Sequence, residues 1–124
     1  MKKKTIERLP DGELEVMQAL WDCGGPAVRM DVEQVLPRKL APTTLLTVLT
    51  RLEEKGFLST EKEGRRCRYT PLVSREEYLA NQSSSFFHKL CKGSMRTFAA
   101  ALCDSDLSRE DLEELRELLD QKKL

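Results

Sequence analysis

The chain has 124 residues, 40% of them hydrophobic and 34% charged, enough for one small domain with an appendage and too apolar for a disordered segment. Basic and acidic residues balance at 21 each, so no overall basic field marks it as a nucleic-acid binder, and any such role must rest on local clusters. No apolar run approaches the roughly 20 residues of a membrane span, and the lysines near the start are not followed by the apolar stretch of a signal peptide.

Residues 1–73 carry 13 basic and 11 acidic side chains, and the clusters within them are Lys2-Lys3-Lys4 and the stretch from Lys62 to Arg68. Residues 1–10 read as a basic, polar tail that frays without a partner. A first helix is expected from Gly12 to Trp21, with Asp11 as N-cap, Gly24-Gly25 as stop, and Leu14, Met17, Leu20 and Trp21 on one face. Val28 to Leu36 reads as a second, short helix with Val28, Val32, Val35 and Leu36 inward, ended by Pro37. Pro42 then opens a third helix that runs to Lys55 and closes at Gly56, with Leu45, Val48, Leu49 and Leu52 as its inward stripe.

Period-2 alternation follows, from Phe57 to Lys62 and again from Arg65 to Thr70, around a turn at Glu63-Gly64. This predicts a hairpin with Cys67 and Tyr69 on one side and Arg66 and Arg68 on the other. Ser74-Arg75-Glu76-Glu77 is a capping box for a fourth helix, with Tyr78, Leu79, Gln82, Phe86, Phe87 and Leu90 along one face. Ser94 to Leu102 resumes as helix after Gly93, and Ser108-Arg109-Glu110-Asp111 starts the last one, whose stripe is Leu112, Leu115, Leu118 and Leu119. The expected fold is therefore mainly α with a small β-hairpin. Residues 1–73 form a winged helix-turn-helix domain, and residues 74–124 a helical dimerisation region.

In that arrangement the third helix is the one built to enter a major groove. Away from its apolar stripe it presents Thr43, Thr44, Leu46, Thr47, Thr50, Arg51 and Glu54. Threonine is a poor helix former, so four on one exposed face argue for close approach to phosphates and base edges. The competing explanation is that the hydroxyls bond back to helix carbonyls. On the wing, Lys62, Arg65, Arg66 and Arg68 suit phosphate clamping or a narrow minor groove. The alternative there is a charged edge that resists strand addition, in keeping with Glu61 and Glu63. Cys23, Cys67, Cys91 and Cys103 lack metal-ligand spacing and read as reduced thiols, Cys91 and Cys103 as small buried hydrophobes. His88 is the sole histidine, so no histidine-based triad or metal cluster is available. No catalytic residue, metal or cofactor is expected, and an enzyme is poorly supported.

The runs LEVMQALW (Leu14 to Trp21), APTTLLTVLTRLEEKGF (Ala41 to Phe57) and RYTPLV (Arg68 to Val73), with Leu90-Cys91-Lys92-Gly93 and Asp106-Leu107-Ser108, resemble the penicillinase-repressor family, over nearly the whole chain. The resemblance implies a cytoplasmic homodimer that represses transcription from a pseudo-palindromic double-stranded DNA operator, its C-terminal helices interlocked with those of the partner. Phe86, Phe87, Leu90, Phe98, Leu102, Leu112, Leu115 and Leu119 would form that interface, since three short helices cannot bury so much apolar surface alone. In antibiotic-sensing members a sensor protease cuts an asparagine–phenylalanine bond in the helix before the last. Here that helix reads Phe98-Ala99-Ala100-Ala101-Leu102, which speaks against such a partner. The paired C-terminal cysteines of copper-responsive members are also missing. Thr43 and Leu46 stand where some relatives place basic residues, which implies a different operator sequence. The alternative function is a winged-helix protein-interaction module that never touches DNA.

Overall fold

The computed structural model describes residues 6–122; the expected lysine cluster Lys2-Lys3-Lys4 lies outside them. In chain order the elements are α1 (Asp11–Asp22), β1 (Ala27–Val28), α2 (Arg29–Val35), α3 (Pro42–Glu54), β2 (Leu58–Glu63), β3 (Arg66–Pro71), α4 (Arg75–Lys89), α5 (Met95–Cys103) and α6 (Arg109–Lys122). The contacts divide the chain into two compact units that meet within α4, after Gln82.

The first unit is organised around α3. Leu45, Leu49 and Leu52 recur at spacings of four and three, so they share one face of a 3.6-residue helix, and all three are fully buried. Each contributes about 2 kcal/mol from the apolar surface it removes from water. They pack with Val16, Met17 and Leu20 of α1, Val32 of α2, Phe57, Leu58 and Tyr69 in one continuous core. Gly56, at φ 83°, occupies the left-handed position past the end of α3 that side chains disfavour, and it turns the chain into β2. A half-buried ion pair between Lys55 Nζ and Glu13 Oε1 ties α3 to α1 across this core.

Several local expectations are corrected. Asp11 is the first residue of α1 rather than its cap; Pro10 holds the cap position and accepts from Leu14 N–H through its carbonyl at 2.8 Å. Val28 is not helical. With Ala27 it forms β1, which pairs with β3 (Ala27 with Tyr69, Val28 with Arg68), so the hairpin is part of a three-stranded antiparallel sheet of order β1-β3-β2. A two-residue strand is too short to show alternation. Asp31 accepts the Val28 N–H at 3.2 Å and starts α2 where the strand ends. Val35 is exposed rather than inward, because α2 buries only Val32 along its length.

The hairpin turn also differs by one residue. Glu63 pairs with Arg66, which leaves Gly64 and Arg65 as a two-residue loop. Gly64 has φ 61°, the positive value that the first central position of a II′ hairpin turn requires. Arg65 is consequently at the tip rather than in the strand.

Leu9, within the stretch expected to fray, is buried, and its N–H donates to the Tyr78 hydroxyl at 3.0 Å. Tyr78 is the buried residue of α4, its ring 5.8 Å from both Trp21 and Phe57. Trp21 is half-buried; its Nε1 donates to the Val73 carbonyl at 2.8 Å, and the Arg75 guanidinium lies 5.6 Å from its ring. The first turn of α4 thus belongs to the first unit's core.

Both capping boxes form as read: Ser74 Oγ accepts from Glu77 N–H at 3.0 Å while the Glu77 carboxylate accepts from Ser74 N–H, and Ser108 and Asp111 repeat the exchange. Within the second unit Phe98 meets Phe86 and Phe87 edge-on, at 6.0 and 5.8 Å. Neither α5 nor α6 buries a residue, and Leu90, Met95, Leu118 and Leu119 are more than half exposed. Cys91 is buried there as expected, whereas Cys103 is exposed. Among the described residues all four cysteines are free, no group of acidic, histidine or cysteine side chains is placed to hold a metal ion, and no helix is long and apolar enough to cross a membrane.

Candidate nucleic-acid interface

The outward side of α3 is the side opposite Leu45, Leu49 and Leu52. Thr43, Thr44, Leu46, Thr47, Thr50 and Arg51 are all exposed there. Nothing among the described residues of the first unit covers them, so this face is available for contact.

The threonines divide into two pairs. Thr47 Oγ1 donates to the Thr43 carbonyl and Thr50 Oγ1 to the Leu46 carbonyl, each at 2.9 Å. The back-bonding alternative therefore holds for these two exposed residues, whose hydroxyl oxygens keep lone pairs. Thr43 and Thr44, in the first turn, make no such bond among the described residues.

The start of α3 has the character of an anion site. Ala41 at the N-cap offers no side chain to the first N–H groups, Pro42 follows, and the first turn carries no acidic residue. Leu45 N–H bonds to the Ala41 carbonyl at 3.0 Å, so the N–H groups ahead of it have no partner within the helix. Exposed N–H groups at the positive end of a helix dipole favour a phosphate.

The wing is less uniformly cationic than its sequence. Lys62, Arg65 and Arg66 are exposed, with Arg65 in the turn. Arg68 is half-buried and engaged: its Nε and a terminal nitrogen donate to the two carboxylate oxygens of Glu63 at 2.9 and 3.1 Å. That two-point hydrogen bond, reinforced by the charge of Arg68, holds the Glu63 carboxyl below its ordinary range and makes the guanidinium harder to deprotonate. Arg68 is thus committed to bracing the hairpin, and the cations the wing presents are Lys62, Arg65 and Arg66.

The fold brings α3 and the wing to one place. Leu46 lines a groove of about 260 Å³ together with Arg65, Arg66, Cys67 and Tyr69 of the hairpin and Val28, Arg29 and Met30 at the start of α2. Burial raises the Tyr69 phenol above its ordinary range, consistent with its place in the groove wall. Sequence reading left out Arg29 and Met30, which reach this surface only because β1 pairs with β3, and Lys39, which is exposed in the connection before α3. A basic residue in a short inter-helix turn was the available signal for Lys39. Met30 offered none, since a lone outward methionine on so short a helix carries no signal of function. Arg38, beside it, pairs with Glu15 of α1 at 2.8 Å.

Three helices, the third exposed and uncapped, followed by a hairpin whose tip shares a groove with that third helix, define a winged helix-turn-helix. The family model of the penicillinase repressor matches residues 9–121, and the chain belongs to that family. The penicillinase repressor of Bacillus licheniformis is 31% identical over 97% of this chain and 95% of its own length. The methicillin resistance regulatory protein MecI of Mammaliicoccus sciuri is 31% identical over 98% of this chain and all of its own. Among solved structures, the monomeric form of Bacillus licheniformis BlaI in complex with the blaP half-operator is 36% identical, with a TM-score of 0.50 over 61% of this chain and 94% of that one.

Proposed function

We propose that this protein is a sequence-specific DNA-binding transcriptional repressor that acts in the cytoplasm as a homodimer on a pseudo-palindromic operator. The observation that carries the reading is the exposed, uncapped and hydroxyl-lined face of α3, set beside a wing that presents Lys62, Arg65 and Arg66. Family membership and the half-operator complex of BlaI support it.

In this reading the first turn of α3 receives a phosphate through its N–H groups and through Thr43 and Thr44. Leu46, Thr47, Thr50 and Arg51 face base edges, and the wing holds the flanking backbone. Arg68 contributes by fixing the hairpin through Glu63 rather than by touching DNA. Residues 1–73 carry recognition, and the helices after residue 74 join two copies through Phe86, Phe87, Leu90, Phe98, Leu102, Leu112, Leu115 and Leu119. The first turn of α4, anchored by Tyr78, links recognition to pairing. The exposure of Leu90, Leu118 and Leu119 supports this, because a two-fold contact removes that surface from water. Induction by cleavage at an asparagine–phenylalanine bond forms no part of the proposal, since α5 has no asparagine.

A gel-shift titration of the full chain against fragments of the parent genome, with salt varied, tests the proposal. The expected result is a small set of fragments bound well ahead of bulk DNA, with affinity falling steeply as salt rises. Binding no fragment ahead of bulk DNA would instead support the protein-interaction module, which the balanced net charge favours.

A further inference from the structure

Met30, in the first turn of α2, is apolar yet 55% exposed. One exposed methionine is ordinary. Met30, however, lines the groove that also contains Leu46, itself 42% exposed, and the wing residues Arg65 and Arg66. It lines the adjoining groove as well, with Lys39 and Pro42 at the start of α3. Met30 of α2 and Leu46 of α3 are therefore the large exposed apolar side chains of a groove that Arg65 and Arg66 also line, and Met30 is shared with a second groove that holds Lys39 and the Arg29-paired Glu33.

A groove lined by apolar side chains and cations fits a polyanion that carries apolar substituents on its inner edge. A DNA strand meets both requirements, since phosphates match the cations and the thymine 5-methyl is the apolar group that base pairs display in the major groove. We infer that Met30, with Leu46, forms a receptor for a thymine methyl and is a specificity-determining residue, so that α2 as well as α3 reads the operator. This inference rests on the DNA-binding proposal above. A flexible thioether suits the task, because it adapts to the methyl without demanding a single geometry.

The test uses the duplex that the full chain selects from a random-sequence pool. That duplex is resynthesised with deoxyuridine in place of thymine, one position at a time, which deletes the methyl and leaves every hydrogen-bonding group unchanged. Binding is compared for the wild type and for Met30→Ala, whose exposed side chain lies outside the core. At one thymine in each half-site the wild type should lose about fourfold in affinity, as expected for one methyl-sized group. Met30→Ala should bind the two duplexes within about 1.5-fold of each other at that position, with its salt dependence unchanged. The inference is overturned if no thymine is methyl-sensitive, or if Met30→Ala keeps every penalty of the wild type. A chain that selects no duplex from the pool overturns the DNA-binding proposal and this inference with it, whereas normal selection without a Met30-dependent methyl effect overturns the inference alone.

Discussion

Replacing Arg65 and Arg66 together by alanine isolates the wing's share of DNA binding. Both side chains are exposed and neither is paired with a carboxylate among the described residues, so the fold should survive the change. A cation that neutralises one phosphate releases counterions, and each such contact adds about 0.9 to the slope of log K against log salt. Two lost contacts lower the magnitude of the slope by about 1.8 on a half-site, and by about 3.6 when two copies occupy a full operator. Between 50 and 200 mM salt, a difference of about 3.6 in slope compresses the fall in affinity by roughly 150-fold. Fluorescence anisotropy with a labelled operator at four or five salt concentrations measures this directly. The informative control is Glu63→Gln combined with Arg68→Gln, which removes a pair that neutralises itself and should leave the slope where it was. An unchanged slope in the Arg65/Arg66 variant, or an equal drop in the control, refutes the division of labour drawn between the wing tip and its brace.

Three further outcomes are expected. Leu49→Ala, at a fully buried position on the inner face of α3, should lower unfolding stability by about 2–5 kcal/mol in urea titrations, since the transfer loss and the cavity add. A carboxyl-detected NMR titration should place the Glu63 midpoint below the ordinary value of about 4.3, and Arg68→Gln should raise it. Because the folded value lies below the unfolded one, whatever the pair adds to stability is complete above that ordinary pKa and fades as pH falls through the folded value. In analytical ultracentrifugation at micromolar concentration the full chain should sediment as a dimer, and a chain ending at Gln82 as a folded monomer. Ending at Gln82 rather than Val73 keeps Tyr78, whose hydroxyl and ring complete the first unit's core; a full-length monomer would remove the two-half-site arrangement.

Much of this structure was legible in the sequence wherever a local rule had several residues to act on. The stripe Leu45, Leu49 and Leu52 and its outward complement, the Ser74 and Ser108 caps, and the stop at Gly56 all follow from helix periodicity and end chemistry. What escaped depends on partners distant in the chain. Val28 is a strand residue because Arg68 lies opposite it, and Leu9 is held in place because Tyr78, far along the chain in α4, accepts its N–H. Arg68 reads as one more wing cation until the hairpin register sets Glu63 within reach. Met30 falls outside the inward stripe read for the second helix, but a lone outward methionine on a helix of fewer than two full turns carries no signal of function.

The hydroxyl protons of Thr47 and Thr50 are turned inward to carbonyls of their own helix, and this limits what those side chains can say to a base. In the proposed complex they would meet an edge as acceptors with a methyl beside the oxygen, which suits the amino groups of adenine and cytosine and the methyl of thymine. They offer no proton to the guanine edge, whose O6 and N7 only accept. On the DNA-binding reading proposed above, a helix lined in this way would select against a purely accepting base edge opposite Thr47 and Thr50 and leave guanine to Arg51. Donor chemistry withdrawn into the helix would then act as selectivity, set by the backbone before any DNA arrives.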